Sequence, residues 1–94
     1  MRDFFEDLFT PHDIQMHIAD NLKKKRKEAN LTQEELSNKA NVSFGSLKRF
    51  ENKGEISLKS LIKIAIALKC ENELYQLFTK KKYNSIEEII NENN

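Results

Sequence analysis

The chain is poor in punctuation and in covalent staples. Its 94 residues include one cysteine, one proline and two glycines. The lone cysteine, Cys70, excludes an internal disulfide and fits a reducing cytoplasm. No apolar run reaches the length needed to cross a membrane, and the opening "MRDFFEDLFT" is acidic, unlike a secretory leader, so the expected location is cytoplasmic. Catalytic chemistry is equally scarce. There is no glycine-rich phosphate loop, His12 and His17 lie five apart and so do not share a helical face, and Cys70 has no neighbours at metal-ligand spacing. Glu34 and Glu35 fall at a helix start, where acidic side chains serve capping and the dipole. The expectation is a chain without enzymatic activity, cofactor or metal.

What is present is helical periodicity and a charge pattern. Leu, Lys, Glu, Ile and Ala recur at spacings of three and four, which predicts an all-α fold in one small domain without internal repeats. The net charge of +1 conceals three zones. Residues 1–20 carry one basic and five acidic side chains, residues 21–69 carry twelve and five, and residues 70–94 carry three and five. A basic middle between acidic ends suits an anionic partner, although "KKKRK" alone reads equally as a solvated helix face.

Start and stop signals divide the chain. Thr10, Pro11 and Asp13 open a first helix running to about Ala29, with Ile14, Ile18 and Leu22 inward and Asn30 in a left-handed turn. Thr32 and Glu35 form a capping box for a second helix, with Leu36, Ser37 and Ala40 inward and Asn41 turning the chain. Ser43 caps a third, which ends near Asn52. Ser57 caps a fourth, with Leu58, Leu61, Ile62, Ala65 and Leu68 as its apolar face. A short fifth is expected around 73–78. Two terminal stripes remain: Phe4, Phe5, Leu8 and Phe9 at the start, and Ile86, Ile89 and Ile90 in "SIEEII" at the end. The expected organisation is an appendage at 1–9, a domain at 10–78 and a tail with a short helix at 79–94.

Two short helices joined by a tight turn, the second bearing polar and basic residues outward, describe a helix-turn-helix. The stretches "LTQEELSNKANVSFGSLKRFENKG" and "SLKSLIKIAIALKCENELYQLF" resemble the Cro/C1-type (XRE) repressors, over roughly residues 14–78. The resemblance implies a five-helix, lambda-repressor-like domain that binds double-stranded DNA. Two positions depart from the family pattern: Lys25 stands where an apolar residue is usual, and Asn41 where glycine is usual. Asparagine tolerates the left-handed conformation, and lysine can lay its stem on apolar surface.

Helical phase places Gly45, Lys48, Arg49 and Asn52 on one face of the third helix, and Leu47 and Phe50 on the other. The resemblance implies that Phe44, Gly45 and Arg49 face base edges. Glycine admits close backbone approach, Phe44 suits a thymine methyl, and Arg49 suits guanine O6 and N7; Lys48 joins them on the same face. Phe44 also reads as a core residue beside Leu47, and Gly45 as a tolerated accident. Phosphate contacts are expected from Gln33, at the start of the second helix, and from Ser43, Ser46, Lys53 and Lys59. The resemblance further implies an ion pair between Arg26 and Glu51, locking the first helix to the third.

One such helix reads only a few base pairs, so the expected partner is a palindromic operator bound by a homodimer. Ile64 and Ile66, with Ala67, fall outside the expected core face of the fourth helix and are the candidate dimer surface. Phe4, Phe5, Ile86, Ile89 and Ile90 either enlarge the core or dock on a partner. The segment "ELYQLFTKKKYNSIEEII" is similar to the tails of HipB-like antitoxins, encoded beside HipA-type kinase toxins. That resemblance implies a cognate toxin as a protein partner. The alternatives are a phage or restriction–modification controller, and a protein-interaction module in which DNA binding is secondary.

Overall fold

The computed structural model describes residues 9–82, and these form five α-helices: α1 (Pro11–Glu28), α2 (Gln33–Ala40), α3 (Phe44–Lys53), α4 (Leu58–Ala67) and α5 (Glu71–Tyr75). No strand occurs among the described residues. Phe4, Phe5 and Leu8 at one end, and Ile86, Ile89 and Ile90 at the other, lie outside the described residues.

The first four helices begin in one way. Thr10, Thr32, Ser43 and Ser57 are extended N-cap residues whose hydroxyls accept the backbone N–H three positions on. The α1 and α2 caps are full capping boxes, in which Asp13 and Glu35 accept back from the N-cap N–H at 3.0 and 2.9 Å. These bonds hold both carboxyls below their ordinary pKa. Each cap is also flanked by apolar residues at the positions that staple an entering chain to its helix: Phe9 and Ile14, Leu31 and Leu36, Val42 and Leu47, Ile56 and Leu61. In α2, α3 and α4 these pairs join the core. In α1 both members stay at the surface, Phe9 60% and Ile14 50% exposed. The ends are set locally too: Asn30, Asn41 and Gly54 take left-handed φ values of 58°, 56° and 71°.

Packing runs α1 on α3, α2 on α3 and α4, and α5 on α4. The core is Ala19, Leu36, Ala40, Leu47, Phe50, Ile64 and Ala67, with Leu22, Leu31, Val42, Ile56, Leu61 and Leu68 around it. Ser37, 2% exposed, donates to Glu34 O at 2.8 Å, so its hydroxyl is satisfied at the close α2 contact.

Three expectations are corrected. Ile14 and Ile18 do not face inward; α1 buries Ala19 and Arg26 instead, because the stripe applied to α3 contains a charged residue that hydropathy periodicity passes over. In α4 the apolar face is rotated. Ile64 is 0% exposed and Ala67 8%, so neither is a surface residue, whereas Leu58 at 68% and Ile62 at 39% are exposed. Seven of the ten residues of "LKSLIKIAIA" are apolar, so periodicity alone cannot choose among stripes, and packing on α2 does. The fifth helix starts earlier, at Glu71, and leaves Phe78 outside it, left-handed at φ 62° and 93% exposed.

Lys25 lines a recess with Leu22, Leu61, Ala65 and Cys70, and its ammonium is paired with Glu73 at 3.2 Å, tying α1 to α5. Partial burial raises the Cys70 thiol above its ordinary pKa, away from thiolate chemistry.

Candidate nucleic-acid interface

The geometry of the α2–turn–α3 unit begins at Asn41. Its left-handed conformation ends α2 after Ala40, and Val42 N donates to Ser37 O at 3.0 Å, closing the turn. Three residues connect the helices, and Phe44 starts α3. Leu47 and Phe50, 1% and 2% exposed, fix α3 against α1 and α2 and leave Phe44, Gly45, Ser46, Lys48, Arg49 and Asn52 exposed on its outer side.

Behind α3 stands a buried polar network. Arg26 Nε donates to Glu51 Oε2 at 2.8 Å and Nη2 to Oε1 at 3.0 Å, a two-point pairing of α1 with α3. Arg26 Nη1 donates to Leu31 O at 2.8 Å, and Gln33 Nε2 donates to Glu51 Oε1 at 2.9 Å. Arg26 is 8% and Glu51 4% exposed, and no buried side-chain nitrogen or oxygen among the described residues lacks a partner. The pair therefore meets the condition on which a buried ion pair is tolerated, full hydrogen bonding of both charges.

This network brings one expected phosphate contact next to one expected base contact. Gln33 and Phe44 line a common recess with Arg26, Thr32 and Glu34. Phe44, 46% exposed, is not part of the core cluster. Ser43 and Ser46 are bonded to each other: Ser43 Oγ accepts Ser46 N at 3.0 Å and donates to Ser46 Oγ at 2.7 Å. The Ser43 proton is thus committed within the protein, and the Ser46 hydroxyl faces outward as the remaining donor. Lys48, Lys53 and Lys59 are exposed. Arg49 is not free: it pairs with Glu55 in the loop after α3. Sequence reasoning missed both Glu55 and the tie between Gln33 and Glu51, because neither spacing, six residues and eighteen, belongs to a helical pattern.

Two short helices locked at a fixed angle, the second exposing a mixed basic and polar face, define a helix-turn-helix DNA-binding domain. Consistently, a family model described as helix-turn-helix matches residues 22–71, just over half of the chain. The chain belongs to the Cro/C1-type helix-turn-helix family of DNA-binding transcription regulators. A search of curated proteins finds no match to it. No helix among the described residues is long and apolar enough to cross a membrane.

Proposed function

We infer that the protein is a sequence-specific repressor or autoregulator that binds a palindromic operator as a homodimer, with α3 in the major groove. The observation that carries this reading is Gly45. The fold does not require glycine there. Its φ is not in the positive region, and a Cβ built on it meets nothing within 4 Å. Glycine in a helix is a standing cost of about 0.5–1 kcal/mol relative to alanine. A residue that the folded chain does not need, placed between Phe44 and Ser46 on the outer side of α3, is accounted for by close approach of DNA.

Base edges are then read by Phe44, Lys48 and Arg49 beside that glycine. Gln33, Ser43, Ser46, Lys53 and Lys59 hold the phosphates, Ser43 through its oxygen-bonded partner Ser46. The dimer surface is the exposed row Leu58, Ile62 and Ile66 of α4, one turn apart each, with Tyr75, 83% exposed, lining a recess beside Ile62. The functional unit is the domain at 10–78, with the segments at 1–9 and 79–94 as separate appendages. The deciding experiment is selection of duplexes from a randomised pool, followed by binding measurements on Arg49→Ala. The variant should lose about 1–3 kcal/mol on the selected duplex and relax its preference at one base pair. Unchanged affinity and selectivity would remove α3 as the reading element.

A finer assignment, DNA-binding antitoxin of a HipA-type toxin, is supported by the tail resemblance and by Phe78. That ring is 93% exposed in a left-handed turn. Copurification with the product of an adjacent kinase-like gene, lost on Phe78→Ala or on deletion of 79–94, is the expected result. A chain that binds DNA while ignoring that product is a phage-type or restriction–modification-type regulator instead.

A further inference from the structure

Arg49 and Glu55 form an exposed ion pair with one-sided geometry. Arg49 Nε donates to Glu55 Oε1 at 2.9 Å, and Nη2 approaches the same oxygen at 2.7 Å. A single carboxylate oxygen therefore occupies the Nε edge of the planar guanidinium. The adjoining end, made by Nη1 and the outer hydrogen of Nη2, is left for a second partner. Two parallel donors on one edge are what guanine O6 and N7 accept together.

The pair contributes little to folding, since the side chains are 62% and 50% exposed. The loop that delivers Glu55 is nonetheless tightly placed. Gly54 ends α3 at φ 71°, its N–H bonds Phe50 O at 2.7 Å, and its carbonyl accepts Gln15 Nε2 at 3.3 Å. A Cβ at position 54 would stand 2.8 Å from Gln15 Cβ, so α1 presses directly on this turn. The chain is thus held where Glu55 starts, and the carboxylate is aimed back at α3. A carboxylate beside a DNA-facing arginine also opposes the phosphates and weakens binding to any duplex. A contact that adds little stability and reduces general affinity is explained by what it does to the arginine.

We propose that Glu55 is a positioning residue for base recognition: it fixes Arg49 by the Nε edge so that the other edge meets one guanine, and it disfavours looser arginine–phosphate contacts elsewhere. Specificity arises from the repulsive element together with the attractive one. The inference rests on α3 as the DNA-reading helix.

The probes are a duplex selected by the wild-type protein from a randomised pool, the same duplex with each G·C pair changed in turn to A·T, and an unrelated duplex. The variant is Glu55→Gln, isosteric and at the surface, with thermal unfolding as a folding control. Glu55→Gln should bind the unrelated duplex several-fold more tightly. It should lose about tenfold of the discrimination at one G·C pair per half-site, with the other pairs unaffected. In the Arg49→Ala background the same change should cost no further discrimination at that pair. Retention of the wild-type discrimination profile by Glu55→Gln, or an equal shift at every pair, overturns the proposal. Arg49→Ala separates the two levels. If it abolishes the guanine preference while Glu55→Gln does not, only the positioning role fails. If Arg49→Ala keeps the preference, the assignment of α3 fails and this inference with it.

Discussion

Glu51 accepts Gln33 Nε2 on the same carboxylate oxygen that receives Arg26 Nη2, at 2.9 and 3.0 Å. A residue at the first turn of α2 is thereby wired to the buried pair that joins α1 to α3. The amide keeps a second N–H, and that hydrogen is the one directed away from Glu51 and available to a phosphate. Fold stability and the posture of the proposed phosphate contact share one carboxylate.

Removing either charge should therefore be severe. Arg26→Ala or Glu51→Ala strands a buried partner and is expected to cost about 3–5 kcal/mol. Replacing both, as Arg26→Ala with Glu51→Ala, should cost clearly less than the sum of the single losses, because no charge is left unpaired. Urea unfolding of the four chains measures the difference; additive losses would show that the pair does not act as a unit.

The two glycines should respond in opposite directions. Gly45→Ala meets no neighbour and should stabilise the fold by about 0.5–1 kcal/mol, yet weaken binding to the selected duplex. Gly54→Ala meets Gln15 Cβ at 2.8 Å on a left-handed backbone and should destabilise by at least about 1–2 kcal/mol. Melting curves and duplex titrations together decide; a Gly45→Ala chain that is both more stable and equally tight on DNA would leave that glycine without a role.

On α4, neighbouring isoleucines should behave as core and surface. Ile64→Ala, at a position 0% exposed, is expected to cost about 2–5 kcal/mol. Ile66→Glu, at a position 55% exposed, should leave thermal unfolding of the monomer intact while lowering the mass in sedimentation from dimer to monomer. A wild-type chain that sediments as a monomer and binds DNA singly would remove the dimer surface.

Acid should loosen the first two helix starts. The carboxyls of Asp13 and Glu35 are held below ordinary values of 3.8 and 4.5, mainly by the N-cap N–H groups of Thr10 and Thr32. Groups with depressed folded pKa values contribute stability above their unfolded pKa and lose it as pH falls through the folded one. The melting temperature should hold steady above pH 4.5 and decline below it. The decline should be shallower in Asp13→Asn with Glu35→Gln. Salt gives the parallel test of the DNA side: Lys59→Ala should weaken all duplexes alike and reduce the slope of log affinity against log salt by about 1.

The first four helix starts, the left-handed turns at Asn30 and Asn41, and the inward set of α2 and α3 were legible in the linear sequence. Their causes are local. A cap residue bonds three positions along the chain, and a turn residue acts on its own φ. Alternation between Leu47 or Phe50 and Lys48 or Arg49 is sharp enough to orient α3. Where the sequence failed, the deciding contacts join distant residues. α1 turns Ala19 inward rather than Ile14 and Ile18, on the side where Arg26 meets Glu51 of α3, a pairing the family resemblance implied and hydropathy periodicity did not show. α4, apolar on nearly every side, receives its orientation from packing on α2, which buries Ile64 and leaves Leu58 and Ile62 outside. Glu55 reaches Arg49 across the turn at Gly54, against which α1 packs through Gln15. Hydrogen bonds within one turn are determined by composition and spacing, whereas the choice among several apolar faces, and the pairing of charges across loops, follows from which surfaces the folded chain brings together.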